Sequence, residues 1–381
     1  FLLIFYEIAI YLSNDMYLPS MPTIARELLY TQEQVQYTLT AWFLGASSLQ
    51  LFLGPISDSY GRKRLMVVGA TLFALSSAIC AVTSNYYAFL TARFIQGTSI
   101  CSALVIGYAA IHELYDTRQV IKIFALMGAI TIMAPALGPL AGAVLVQFAS
   151  WRYIFWLLFT MGMISVITLS MYMPSSQQHT QKLHLAGFIY DYKKIFTNKK
   201  FMLLSISNAI LIGVYFVWMF ESPFVMMEVY NKSSLYYGLA QTFIFSCFFV
   251  GSILTNLVLK HNKVATLIKL ASGLTLLGAF FFLLAAISFD HMLGSIASMM
   301  VLSVGASMLF GPINRITIES SRQPMGKRTA VFSTITSLFG AGIGSLLTFI
   351  RPDSLAVMSI LVAICAFISI AMLFQSDMTN K

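Results

Sequence analysis

Gly54-Pro55-Ile56-Ser57-Asp58-Ser59-Tyr60-Gly61-Arg62-Lys63-Arg64 is a short polar turn with apolar sequence on both sides. Gly61 permits a tight reversal, Asp58 suits a helix terminus or a basic partner, and three consecutive cations hold the turn at a membrane surface. The flanking stretches, 34–57 and 65–84, are each long enough to cross a bilayer core about 30 Å thick, which takes roughly 20 apolar residues per helix. The rest of the chain repeats this pattern. Of 381 residues, 58% are hydrophobic and 10% charged, with a mean hydropathy of +0.81. A soluble domain carries about 25% charged residues. The spacing of apolar runs predicts twelve helical spans, at 1–22, 34–57, 65–84, 87–112, 121–148, 152–173, 201–224, 235–259, 264–287, 292–314, 328–350 and 354–374. The fold class is therefore an all-α membrane protein.

The net charge of +9 does not point to nucleic acid, because the cations sit in the loops between spans. With the N-terminus placed in the cytoplasm, seventeen Lys and Arg fall on the cytoplasmic side. Only Arg26, Arg152, Lys232 and Arg351 fall opposite, while Arg93 and Lys269 lie within spans. This bias follows the positive-inside rule, fits an even number of spans and puts both termini in the cytoplasm. Lys269, close to Lys263, is expected to snorkel to the interface. The one long connection, 174–200, carries Lys182, Lys193, Lys194, Lys199 and Lys200 and divides the chain into a six-helix half (1–173), a basic linker and a second six-helix half (201–381). Within it, Leu185 to Phe196 mixes aromatic and charged residues, as a helix lying along a membrane surface does. Cys80, Cys101, Cys247 and Cys365 lie in apolar stretches without metal-ligand spacing, and no metal site is expected. The chain begins at Phe1 inside an apolar run, so a trimmed N-terminus is expected, with no cleavable signal peptide. No nucleophile–base set or phosphate-binding glycine loop supports an enzyme.

Ionisable residues at membrane depth cost about 2.5–3.5 kcal/mol each, so they mark cavities or partners. Glu7, Tyr11, Asn14 and Asp15 share one face about 100° wide of the first span, the two acids standing roughly 12 Å apart along its axis. A cavity-lining stripe is the preferred reading over helix-packing hydrogen bonds. Arg93 needs a carboxylate or a cluster of carbonyls beside it, and Tyr108 lies further along the same helix. Glu221, near the end of the seventh span, either lines the second half of the cavity or reaches water at the helix end.

Further motifs agree with this plan. Arg93-Phe94-Ile95-Gln96-Gly97, Ala134-Pro135-Ala136-Leu137-Gly138-Pro139-Leu140-Ala141-Gly142 after Gly128, and Trp151-Arg152-Tyr153-Ile154-Phe155 join the turn at Gly54, Asp58, Gly61 and Arg62. Together they resemble the signature motifs of the major facilitator superfamily and of its twelve-helix drug:proton antiporters. The resemblance is strongest to antiporters of the MdfA type, with the Bcr/CflA exporters a step further away, and is most specific over 6–155. It implies two six-helix halves rocking around a midplane site. It implies proton coupling through Asp15 and Glu7, modulated by Arg93, and a substrate pocket lined by Tyr11, Asn14, Asp15, Tyr108 and Met127. It also implies a conformational role for the Gly54–Arg62 turn and for Pro135, Gly138 and Pro139. Glu221 departs from that pattern, where glutamine is expected, and would add a third cavity acid. The expected partners are a small amphipathic substrate and the lipid bilayer. No cofactor beyond the coupling proton is expected, and the protein is expected to be a monomer in a bacterial inner membrane. A dedicated exporter of one metabolite or siderophore is the nearest alternative, and an uptake symporter a more distant one.

Overall fold

A computed structural model describes residues 2–174, 185–288, 290–350 and 354–376. Lys182, Arg351, Lys381 and the Asp58 side chain lie outside the described residues. The helices are α1 (Leu2–Asp15), α2 (Met21–Leu28), α3 (Gln32–Ser48), α4 (Leu53–Tyr60), α5 (Arg62–Val82), α6 (Tyr86–Cys101), α7 (Tyr108–Leu114), α8 (Thr117–Phe148) and α9 (Arg152–Tyr172). The linker contributes α10 (Leu185–Phe196), followed by α11 (Lys199–Phe224), α12 (Ser234–Leu259), α13 (Val264–Ile287), α14 (Met292–Glu319), α15 (Met325–Ile350) and α16 (Leu355–Gln375). Short π segments continue α6 into α7 (Ser102–Gly107) and extend α11 (Val225–Val229).

Side-chain caps set many of the starts. Thr31 and Gln34 form a reciprocal capping box on α3, while Asn85, Asp116, Asn198, Ser233 and Ser354 each accept a backbone N–H in the first turn of the helix they open. Each satisfies a donor that a helix end would otherwise leave bare. The outer face is apolar, with Phe148, Phe349 and Phe367 largely exposed. That is a surface for acyl chains rather than water.

Among the described residues, nine helical spans are long and apolar enough to cross a bilayer, or ten with a bent α8 counted as one. The stretches of the first two expected spans are helical but interrupted, and neither passes as one continuous span. Proline cannot donate a backbone hydrogen bond, and its ring clashes with the carbonyl four residues earlier. Pro19 stands four residues after Asp15, where α1 ends before a short 3-10 turn (Leu18–Ser20) and α2. The second span breaks between Ser48 and Leu53 and resumes as α4. Pro135 acts on α8 in the same way, which bends by 45° between Thr131 and Met133.

The halves meet along two seams. On the first, α3 and α15 touch over most of their length, from Thr334 donating to Gln50 (3.4 Å) to Thr348 donating to Tyr37 (3.0 Å). On the second, α8 meets α12 through Thr242 donating to the Ala136 carbonyl (2.7 Å) and Ser234 to the Ala143 carbonyl (3.4 Å). These last contacts fall beyond the bend, away from the basic turns. α10 packs across the basic end: Tyr192 and Ile195 are buried with Phe201, Val331 and Phe332. Tyr192 donates to the Leu51 carbonyl in the α3–α4 break (3.0 Å), and Lys327 pairs with Asp191 (2.6 Å).

Candidate functional site

The stripe on α1 turns inward. Glu7, Asn14 and Asp15 are buried, with Asp15 only 2% exposed. Neither Glu7 carboxylate oxygen has a hydrogen-bond partner, although Tyr108 faces it across the cleft between α1 and α7. Tyr108 stacks on Phe124 of α8, with centroids 4.8 Å apart, and packs against the cluster of Ile4, Ile111, Val120 and Met127. Tyr11 accepts from Thr131 (3.4 Å), the residue at the α8 bend. Tyr11, Tyr108 and Met127 therefore gather around the Glu7 end of α1.

Asp15 sits at the other end, where both halves converge. Asn14 donates to the Asp15 carboxylate (3.1 Å) and to the Met219 sulfur of α11 (3.6 Å). Behind Asp15 lies Gly138, where an added Cβ would stand 2.6 Å from the Asp15 Cβ. Only glycine lets α8 come this close. Pro139 is buried next to it and Pro135 half-buried a turn earlier. From α12, Tyr237 is placed to feel the Asp15 charge, and Gln241 donates to Ser222 of α11 (3.2 Å). No sequence motif pointed to Met219, Ser222, Tyr237 or Gln241, because they come to α1 from the other half of the chain.

Arg93 is fully buried, and its acceptors are carbonyl groups. Its Nη1 donates to the Ser13 backbone carbonyl (3.0 Å) and to the Gln96 amide oxygen, and the guanidinium lies 4.4 Å from the Tyr17 ring centroid. Gln96 in turn donates to Ser77 (2.8 Å), and Trp42 to Ser13 (3.2 Å). Among the described residues no carboxylate reaches Arg93. Its link to Asp15 is through the backbone, two residues along α1, and not through an ion pair. Gln96 was visible at three residues from Arg93, a spacing that lets helical neighbours touch; Ser13 and Tyr17 carried no such signal.

Glu221 joins neither group. It is buried on α11 and accepts from Gln36 (2.9 Å) and Gln32 (3.3 Å) of α3, so it ties the two halves together at the end opposite the basic turns. At the basic end, Gly61 has φ +89°, a left-handed conformation that disfavours any side chain. Arg62 pairs with Glu113 at the end of α7 (2.5 Å), and Gly54 lies against Val105. The turn thus docks onto the helix that carries Tyr108.

Two halves around an inward-facing acidic helix, with a basic turn docked beneath, is a transporter plan. The profile of the Major Facilitator Superfamily matches residues 3–345. This chain belongs to that superfamily. As a facilitator it is a transporter rather than an enzyme. It is 28% identical over 340 residues to the chloramphenicol resistance protein CraA of Acinetobacter baumannii, covering 88% of this chain and 82% of that protein. It is 29% identical over 344 residues to the multidrug transporter MdfA of Yersinia pestis, covering 90% and 84%. Among solved structures, a D-xylose-proton symporter superposes with a TM-score of 0.76 over 97% of this facilitator and 95% of that chain at 13% identity, a likeness of fold alone.

Proposed function

We propose that this facilitator is a proton-coupled antiporter that exports small amphipathic molecules, drugs among them, across the bacterial inner membrane. The observation that carries the reading is Asp15, a buried carboxylate at the point where α1, α8, α11 and α12 converge, with Glu7 unpartnered two turns away. A charged carboxylate in such a place is unfavourable unless a proton or a polar group of the substrate meets it. Proton and substrate then exclude each other at one site. That is negative coupling, and linkage makes it reciprocal: proton entry from one side expels substrate to that side.

The names of the relatives support drugs as the cargo, and the charge bias supports the basic end as cytoplasmic. In that orientation the α8–α12 contacts and the Glu221 clasp close the outer side, so substrate enters from the cytoplasm. Tyr11, Tyr108 and Met127 offer it an apolar and aromatic wall below Asp15. Arg93 holds the α1 backbone in place through the Ser13 carbonyl, and the π segment Ser102–Gly107 gives α6–α7 an irregular stretch beside Glu7.

The test is drug uptake into inverted vesicles under an imposed proton gradient. Asp15→Asn together with Glu7→Gln is expected to abolish gradient-driven uptake and to flatten its pH dependence. Wild-type rates with an unchanged pH profile in that double variant would overturn the assignment.

A further inference from the structure

The uncharged polar side chains buried without a hydrogen-bond partner in the second half include four on α11 and α14. Asn208 and Tyr215 of α11 and Ser303 and Ser307 of α14 are each 5% exposed or less. The Ser307 hydroxyl and both ends of the Asn208 amide make no hydrogen bond, and the Tyr215 and Ser303 hydroxyls have only each other within reach, without a well-formed bond between them. Each such group costs free energy unless water or a ligand satisfies it. They also lie together. Asn208 and Tyr215 are seven residues apart, hence on one face of α11. Tyr215 stands sixteen residues after Lys199, and Ser303 sixteen before Glu319 on the antiparallel α14, which sets both at about the same depth. Ser303 faces the Tyr215 phenol, and Ser307 follows one turn away. Phe245 and Phe248 of α12 wall the Tyr215 ring at 5.6 and 5.9 Å, and both are only half-buried.

This cluster adjoins the acidic site. Met219, which meets Asn14, lies one turn of α11 beyond Tyr215. We propose that Asn208, Tyr215, Ser303 and Ser307 form an uncharged subsite that binds the hydroxyl or amide groups of a neutral aromatic substrate, while its other end sits against α1. The proposal rests on the efflux reading. It assigns the part of the substrate that no carboxylate recognises. A site built to hydrogen-bond such groups loses affinity when its own polar atoms are removed and leaves cargo without those groups unaffected.

Two probes in energised inverted vesicles decide it: chloramphenicol, an uncharged arene bearing hydroxyls and an amide, and tetraphenylphosphonium, a cation with no hydrogen-bonding group. Tyr215→Phe and Ser303→Ala each remove one oxygen atom. Each is expected to raise the KM for chloramphenicol roughly two- to tenfold, the usual worth of one hydrogen bond, and to leave the KM for tetraphenylphosphonium unchanged. Transport of tetraphenylphosphonium at the wild-type rate certifies the fold of each variant; should one lose it, the other decides. An unchanged chloramphenicol KM, or equal shifts for both probes, overturns the subsite and leaves a polar cluster that serves packing alone. A wild type that pumps neither probe overturns the efflux reading itself, and the subsite with it.

Discussion

Arg93 shows how much of this protein rests on single side chains. Its guanidinium uses a flat face on Tyr17 and an edge on the Ser13 carbonyl and Gln96. A lysine ammonium is a compact point charge that cannot serve both. Arg93→Lys should therefore cost about 1–3 kcal/mol through the lost stacking and hydrogen bond. The expected readout is a lower melting temperature in detergent and slower transport. Legibility differs sharply around this residue. The α1 face was readable because a helical period fixes which residues share a side, and the cost of two acids in lipid fixes which way that side points. The acceptors of Arg93 were not, since a backbone carbonyl on another helix has no sequence signature. Glu221 was left open between cavity and water for a related reason: its partners are glutamines nearly two hundred positions earlier in the chain.

At the scale of elements, the apolar runs gave the helices to within a few residues, because hydropathy over about twenty residues is a strong signal. Interruptions are weaker signals. Pro19, Pro55 and Pro135 each stand four residues after an interruption, at Asp15, Leu51 and Thr131, and the Leu51 carbonyl that Pro55 leaves without a helical donor accepts from Tyr192 instead. The α8 motif becomes intelligible only in three dimensions: proline tilts the helix, and glycine admits its neighbour. Gly138→Ala tests this. The new methyl would overlap the Asp15 Cβ, so α1 and α8 must separate, at about 1–3 kcal/mol of overpacking. Because the displaced residue is Asp15, coupling should suffer more than stability. We expect gradient-driven uptake to fall severalfold while the melting temperature drops only a few degrees; an unaltered uptake rate would show that the approach is mere packing.

Alternating access asks that the whole molecule prefer neither end too strongly, and its ties are distributed accordingly. α10 straps the basic end through Tyr192 and Asp191, and burial pushes the Tyr192 phenol up to about 12. A phenol whose folded value lies above its unfolded one, near 10, stays a donor throughout the physiological range, and the strap weakens only as pH rises past 10. The opposite end is tied by Glu221 together with the α8–α12 contacts. The Glu221 carboxylate accepts from Gln36 and Gln32 across the seam, and such hydrogen bonds to a charged group are worth about 1.5–3 kcal/mol each. Gln36→Leu removes the shorter one, so the state closed at that end should lose roughly tenfold in population relative to the state open there. Spin labels on Leu29 and Val229, exposed beside the seam, would report this as a longer distance distribution between the halves. Gln36→Glu, which sets two carboxylates together, should push further in the same direction at neutral pH and recover on acidification. If both variants keep the wild-type distance distribution, the seam is held by the apolar contact of α3 with α15, and Glu221 is only a passenger on α11.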